Sequence, residues 1–142
     1  MAAAEPRSVS EIVVRHIECT CRTVVDGRHA ARVLAEWTQR FELGEAEFQV
    51  LWCLRSAANE GLDQTTLARK LAISPAQVSA IVERAGARDW IDQQSAASDR
   101  RRRLWQLSAS GRSLLEQMIG AAALLRREPI VESASGSGEV AA

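Results

Sequence analysis

The sequence predicts a mainly α-helical protein with one small β-hairpin, arranged as a winged helix-turn-helix lobe between an N-terminal and a C-terminal helical segment. Apolar residues recur at helical spacing from residue 9 to residue 88. The period then changes to two between Trp90 and Leu107, as expected for two short strands. Helical spacing resumes after Ser108. The order helix, short helix, tight turn, helix, hairpin, helix follows from these changes of period.

Four segments are predicted from these patterns. Residues 1–42 form the N-terminal dimerisation helix or helices, and residues 43–107 form the winged helix-turn-helix. Residues 108–130 form a C-terminal helix that Glu128-Pro129 ends, since proline cannot continue a helix. Residues 131–142 are small and polar, which predicts a disordered tail.

The N-terminal segment has a long apolar stripe. Ser8 and Glu11 have the spacing of a capping box, so a helix can begin there. Asp26-Gly27 is a possible break, and one long helix or two helices both fit the pattern. A stripe of this length needs a partner, which favours a homodimer. The stripe consists of Ile12, Val13, Ile17, Cys21, Val24, Val25, Ala30, Leu34, Trp37 and Phe41.

The central helix pair is marked by its capping residues. Asp63 is placed to cap a short helix over 64–71, and Ala72-Ile73 is the turn. Ser74 caps the next helix, and Pro75 occupies its first position, where the missing N–H costs nothing. A preceding helix is predicted from the buried stripe of Phe48, Leu51, Trp52 and Leu54.

The helix from Pro75 is the candidate DNA-recognition helix, since a helix with an exposed face fits the major groove of B-DNA. Gln77 can pair with adenine, Ser79 with several groups, and Ala76 or Ala80 can touch a thymine methyl. The alternative is that these residues are simply the solvent-exposed surface of a packed helix and bind nothing. The candidate contacts here are Pro75, Ala76, Gln77, Ser79, Ala80 and Arg84.

The hairpin carries the run Asp99-Arg100-Arg101-Arg102-Arg103. The tip is predicted at 94–99 and the return strand at 102–107. A narrow minor groove attracts inserted arginines, and Asp99 can orient a neighbouring guanidinium. The alternative is a solvated charge run. Because the run falls where a wing tip belongs, Asp99, Arg100, Arg101 and Arg102 are predicted DNA contacts.

Residues 43–117 resemble the MarR family of bacterial transcriptional regulators. The segments that carry the resemblance are LGEAEFQVLWCL, LDQTTLARKLAISPAQVSAIVERAGARDWI and DRRRRLWQLSASG. The last has the family's Asp-x-Arg, a five-residue gap and Leu-Ser/Thr-x-x-Gly. The resemblance implies a triangular homodimer in which N- and C-terminal dimerisation helices interlock and two lobes read a near-palindromic site, with Arg101 in the minor groove.

The sequence departs from that family pattern at three places. Ala72 stands where the turn often has glycine, which predicts a less tight turn. Asp89 replaces the glycine that ends the recognition helix, and aspartate tolerates the left-handed conformation better than most residues. After Pro129 no clear final helix follows, so the usual dimer interface is shorter and the N-terminal stripe would have to compensate.

Composition restricts the class of protein. The formal net charge is zero, so any nucleic-acid surface is a local patch. The start MAAAEPRSVSEIVV lacks the features of a signal peptide, and no apolar run could span a bilayer, so a cytoplasmic protein without a membrane partner is expected. No phosphate loop, zinc motif or nucleophile–base set is found, so neither an enzyme nor a cofactor is predicted.

Two residue sets are candidates for a sensor. Cys19 and Cys21 could form a redox switch, or they could be buried or interface residues; a metal is not predicted, since two thiols two residues apart on a helix point in different directions. Trp37 lies where the dimer helices meet the lobe. Related proteins bind small aromatic ligands there, although tryptophan is more often a core residue.

The function predicted is a sequence-specific, duplex-DNA-binding transcriptional regulator that acts as a homodimer, as a repressor, with a response to a small aromatic ligand. The alternative is a winged-helix protein–protein interaction module without DNA binding. The zero net charge and the mild recognition helix favour that alternative, and the arginine run favours DNA.

Overall fold

The computed structural model describes residues 8–57, 59–96 and 99–124; the side chains of residues 95–102 and 124 are outside that description. The fold within these ranges is mainly helical with one two-stranded antiparallel hairpin, as predicted. The end of the last predicted helix, from 125 to 130, and the predicted tail lie outside the described residues. The elements are α1 (Val9–Gln39), α2 (Glu45–Ala57), α3 (Gln64–Leu71), α4 (Pro75–Ala87), β1 (Ile91–Ala96), β2 (Asp99–Leu107) and α5 (Ala109–Leu124).

The first 31-residue segment is one continuous helix, so Asp26-Gly27 is not a break. Its start is the predicted capping box: the Glu11 N–H donates to Ser8 Oγ and the Ser8 N–H donates to Glu11 Oε2, both at 3.3 Å. One glycine inside a helix costs about 1 kcal/mol relative to alanine. That cost is too small to interrupt a helix of this length.

Only the C-terminal end of α1 packs on the rest of the described chain. Thr38 is fully buried, and Leu34, Trp37 and Phe41 pack against the core. The preceding two thirds of the helix, about 30 Å, has no buried residue. The large exposed apolar residues of α1 as a whole are Val9, Ile12, Val13, Val14, Ile17, Val24, Val25 and Val33.

One hydrophobic core joins α2, α3, α4, the hairpin and α5. Trp52, predicted to be buried with its neighbours, is 39% exposed, and Arg55 lies over its ring at 4.9 Å. The prediction was wrong because helical spacing alone does not place the edge of the buried face. The buried apolar residues are Leu43, Phe48, Val50, Leu51, Leu54, Leu67, Ala68, Val78, Ile81, Val82, Ala85, Ile91, Leu107, Leu115 and Met118.

The hairpin is longer than the sequence predicts. The pairing of β1 with β2 continues from Ile91↔Leu107 out to Ser95↔Arg103, and after an irregularity to Ala96↔Asp99. The predicted tip at 94–99 therefore belongs mostly to the strands, and only residues 97–98 separate them. Small polar residues indicated a turn, but backbone pairing across the hairpin includes them.

The last described helix packs on the lobe through Leu115 and Met118, which are fully buried. Ser108 caps it as predicted: the Gly111 N–H donates to Ser108 Oγ at 3.0 Å. Within the described ranges, no helix combines the length and the apolar character that crossing a bilayer requires.

Candidate nucleic-acid interface

The turn between α3 and α4 is set by local capping. Asp63 Oδ1 accepts from the Thr66 N–H at 2.7 Å and begins α3. Ala72 ends α3 in the left-handed conformation with φ of 52°, and the Ile73 N–H donates to the Ala68 carbonyl at 3.2 Å. The turn thus adopts the left-handed conformation despite alanine where the family often has glycine. The less tight turn predicted from Ala72 is not what the backbone adopts.

The α4 helix packs on the core through its inner face, and most side chains on its outer face are small. Val78, Ile81, Val82 and Ala85 are buried. Of the predicted DNA contacts, Pro75, Ala76, Gln77, Ser79 and Arg84 are exposed and Ala80 is half-buried. The structure therefore brings these six residues onto one accessible helix, which also presents Glu83.

Three polar side chains on one flank of α4 already have protein partners. Gln77 Oε1 accepts from the Ser74 N–H at 3.0 Å, which completes a capping box with the Gln77 N–H on Ser74 Oγ at 3.1 Å. Arg84 Nε donates to Glu47 Oε1 at 3.1 Å. Arg88 Nη1 donates to the Glu42 carbonyl at 3.1 Å. Gln77 and Arg84 were predicted from the sequence to contact DNA, and these protein partners were not predicted.

The missed partners have no local signal in the sequence. Glu47 lies 37 residues before Arg84, and Glu42 lies 46 residues before Arg88. An acidic first turn of α2 is visible in the sequence, because Glu45 and Glu47 both fall there. Which basic residue meets it depends on how α2 and α4 pack, which the sequence pattern does not specify.

The predicted wing residues Asp99, Arg100, Arg101 and Arg102 all lie on β2, at its start. Their side chains are outside the described part of the structure. Arg103 is exposed and its backbone pairs with Ser95. The run of four arginines therefore continues directly from the tip onto the outer half of one strand.

The wing is attached to the loop before α3. Leu62 and Trp105 form a backbone bridge, with N–H to carbonyl distances of 3.0 Å and 2.8 Å. Gly61, with φ of 71°, precedes the bridge, and a Cβ there would lie 3.0 Å from the Trp105 carbonyl. This close approach fixes the base of the wing relative to the helix-turn-helix.

A second connection joins the end of α4 to α5 beneath the wing. Asp89 adopts a left-handed φ of 58°, as predicted for the residue that replaces glycine there. The Ser108 N–H donates to the Trp90 carbonyl at 3.0 Å, and Ser108 Oγ donates to the Asp89 carbonyl. A Cβ at Gly111 would lie 2.1 Å from the Trp90 carbonyl. The Leu-Ser-x-x-Gly sequence thus packs the start of α5 against the Asp89-Trp90 segment that follows α4.

The candidate sensor residues lie apart from α4 and the wing. Trp37 packs edge-on against Phe48, with ring centroids 5.0 Å apart, and against Phe41 at 6.4 Å. Its buried Nε1–H has no hydrogen-bond partner in the described structure. A neighbouring cleft of about 500 Å³ is lined by Leu34, Trp52 and Lys70 among others, but not by Trp37.

Cys19 and Cys21 are both exposed on α1 and are free thiols. Cys53, which lies beside Trp52 in the sequence, is half-buried and packs against the core. Among the residues that the structure describes, no cluster of three or more His, Cys, Asp or Glu side chains could hold a metal ion. The redox role predicted for Cys19 and Cys21 stays a prediction.

Comparison with known proteins confirms the resemblance that the sequence indicates. The model of the MarR family matches residues 43–102, which run from the start of the core to β2. No curated protein matches this sequence.

Solved structures of MarR-type regulators have the same fold. The apo form of wild-type MarR from E. coli is 18% identical, with a TM-score of 0.64 over 84% of this chain and 79% of that one. A cysteine-to-serine mutant of that protein, complexed with operator DNA, is 21% identical over 75% and 74%, also with a TM-score of 0.64. The S. aureus MepR–DNA complex is 19% identical over 85% and 81%, with a TM-score of 0.60.

Proposed function

Because residues 43–102 belong to the MarR family of winged-helix regulators, we propose that this protein binds duplex DNA in a sequence-specific way and regulates transcription. The observation that carries the proposal is that α4 and the arginine-bearing strand β2 are parts of one core. The inner face of α4 and Leu107 at the end of β2 are buried together. A helix for the major groove and a charged strand for the adjacent groove are then presented as a unit.

The side chains of α4 and of β2 are suited to different kinds of DNA contact. The exposed face of α4, with Ala76, Ser79 and Ala80, provides contacts to base edges and thymine methyl groups. Arg100, Arg101 and Arg102 provide phosphate and minor-groove contacts, and Asp99 orients them. Because the outer face of α4 is small and weakly charged, most of the affinity comes from the wing and is sensitive to salt.

We further propose that the active form is a homodimer held by α1. The exposed apolar stripe of that helix needs a partner, and an identical stripe on a second copy satisfies it symmetrically. Two lobes would then present their α4 helices about 34 Å apart, one turn of the duplex. Occupying two successive grooves at a promoter excludes other proteins from that DNA, so the expected outcome is repression.

A response to a small aromatic ligand is part of the proposal. The cleft between α1, α2 and α3 combines aromatic rings with Lys70, and the unpartnered indole N–H of Trp37 lies close by on α1. A ligand there would change how α1 meets the lobe, and so the spacing of the two α4 helices. Such a ligand shifts DNA affinity only as far as it prefers one spacing over the other.

The proposal is tested by selecting bound sequences from a random duplex pool and measuring their affinity at several salt concentrations. A symmetric selected site with half-sites one turn apart is expected. Arg101→Ala should weaken binding and lower the slope of log K against log salt by about 1 or less. Absence of salt-dependent binding to any selected duplex would favour the winged-helix protein-interaction module instead.

A further inference from the structure

Two arginines, Arg84 near the end of α4 and Arg88 at its C-cap, connect this helix to the segment between α1 and α2. Arg84 pairs with Glu47 through Nε and Oε1 at 3.1 Å. One helical turn later, Arg88 donates to the Glu42 carbonyl at 3.1 Å, and its guanidinium lies 4.8 Å from the centre of the Trp90 ring. Since residues four apart lie on the same side of a helix, both arginines face the same neighbour.

In the Arg84–Glu47 ion pair the carboxylate is much less exposed to solvent than the guanidinium. The Glu47 side chain is only 15% exposed, whereas that of Arg84 is 56% exposed. A carboxylate in a mostly buried position costs free energy unless a cation or hydrogen-bond donor meets it. Arg84 is its hydrogen-bond and ion-pair partner. Movement of Arg84 to a DNA phosphate would therefore leave Glu47 unpaired.

The connected segment is where α1 enters the lobe. The Leu43 N–H donates to the Thr38 carbonyl at 3.3 Å across a left-handed Glu42, whose φ is 57°. Thr38 and Leu43 are both buried. The two arginines thus bind α4 to a buried, hydrogen-bonded corner that continues directly into α1.

We infer that Arg84 is a positioning residue that, through Glu47, holds α4 at a fixed angle to the α1–α2 corner, and that it does not contact DNA. The inference rests on the proposed DNA binding. It differs from the sequence-based expectation, which placed Arg84 among the DNA contacts. It also means that the reading face of α4 is the side bearing Ala76, Ser79 and Ala80.

The two roles of Arg84 predict opposite effects of Glu47→Gln. If Arg84 positions α4, Glu47→Gln and Arg84→Gln should each weaken binding to the selected duplex by about twofold to fivefold, since the pair keeps one solvent-exposed partner and is worth about as much as a surface ion pair. The salt slope should stay at the wild-type value in both variants, in contrast to Arg101→Ala. If Arg84 instead contacts phosphate, Glu47→Gln releases it and strengthens binding, and Arg84→Gln lowers the slope.

A charge swap provides the matched control. The double variant Glu47→Arg/Arg84→Glu re-forms the pair with reversed polarity, so affinity should return to within about twofold of wild type under the positioning role. A carboxylate at position 84 facing phosphate would lower affinity well below either single variant. That result, or strengthened binding by Glu47→Gln, overturns the inference.

Hydrogen exchange of the free protein tests the connection without DNA. Glu47→Gln and Arg84→Gln should both speed exchange of amides in the last turn of α4, while amides around Val78 keep their wild-type rates. Unchanged exchange in the last turn would also overturn the inference. If the wild-type protein binds no duplex but the two variants show these exchange changes, the proposed function is refuted and the α4 connection stands.

Discussion

Gly111 lies so close to Trp90 that a Cβ on it would be 2.1 Å from the Trp90 carbonyl oxygen. No rotamer change can relieve this clash, because the obstructing atom belongs to the backbone. The same carbonyl accepts the Ser108 N–H at 3.0 Å. The glycine that ends the Leu-Ser-x-x-Gly sequence is therefore required for α5 to pack beneath the wing.

Gly111→Ala should destabilise the protein by about 3 kcal/mol or more, because either α5 or the Trp90 segment must move in a packed region. Urea unfolding followed by circular dichroism measures this change. Gly86→Ala is the matched control: a Cβ there would meet no atom within 4 Å. That variant should be neutral or stabilising by up to about 1 kcal/mol. Equal effects of the two variants would contradict the close contact.

Ala72 is a second position where the backbone conformation decides the outcome. Its φ of 52° is strained for alanine and free of strain for glycine. Ala72→Gly should therefore stabilise the protein by about 0.5–1 kcal/mol, whereas Ala80→Gly, inside α4, should destabilise it by about 1 kcal/mol. Thermal unfolding of both variants tests the opposite signs. Destabilisation by Ala72→Gly would show that the turn is not left-handed.

These residues illustrate which features the sequence could predict. The capping residues Ser8, Asp63, Ser74 and Ser108 each act within three residues of themselves, so their spacing in the sequence is sufficient to place the helix starts. The left-handed Asp89 was also predictable, because only the local backbone is involved. The order of elements followed from these local signals together with apolar periodicity.

The parts that were not predicted depend on contacts between distant segments. The strands extend beyond their predicted ends because Gln94 and Ser95 pair with Leu104 and Arg103 across the hairpin. Trp52 lies at the edge of the core, and the edge depends on where α1 packs. The Arg84–Glu47 pair joins residues 37 positions apart. Local patterns carry no information about such pairings.

Gln77 has two possible roles that one substitution can separate. Its Oε1 accepts from the Ser74 N–H in the capping box, whereas pairing with adenine needs both Oε1 and the amide N–H₂. Gln77→Glu preserves the cap, since glutamate is the usual residue at this position. It removes the N–H₂ donor and adds a charge that phosphate repels.

Gln77→Glu should retain wild-type stability, and if Gln77 contacts DNA in addition to the face that bears Ala76, Ser79 and Ala80, this variant should bind the selected duplex at least about tenfold more weakly. Gln77→Ala should lose up to about 1 kcal/mol of stability, because the reciprocal bond of the capping box is lost. Chemical unfolding and fluorescence anisotropy measure the two properties separately. Unchanged DNA affinity in both variants would mean that Gln77 is only a capping residue.

The exposed stripe of α1 provides the test of self-association. Ile17 and Val24 are 54% and 47% exposed and lie two turns apart on one side of the helix. If a second copy covers them, Ile17→Glu or Val24→Glu places an unpaired carboxylate in an apolar interface, which costs several kcal/mol. Both variants should then be monomeric by light scattering at micromolar concentration, and their affinity for a two-half-site duplex should fall at least about tenfold.

Arg22→Ala is the matched control, since Arg22 lies on the opposite side of α1 from Ile17 and Val24, and it should leave the dimer intact. All three variants should keep the helical circular dichroism signal, because each side chain is exposed within the described chain. Affinity for a duplex with a single half-site should be unchanged in the Glu variants, because the lobe that reads it does not include the stripe. A wild-type protein that is monomeric both free and on DNA would refute the α1 interface, and dimeric Glu variants would place the interface elsewhere.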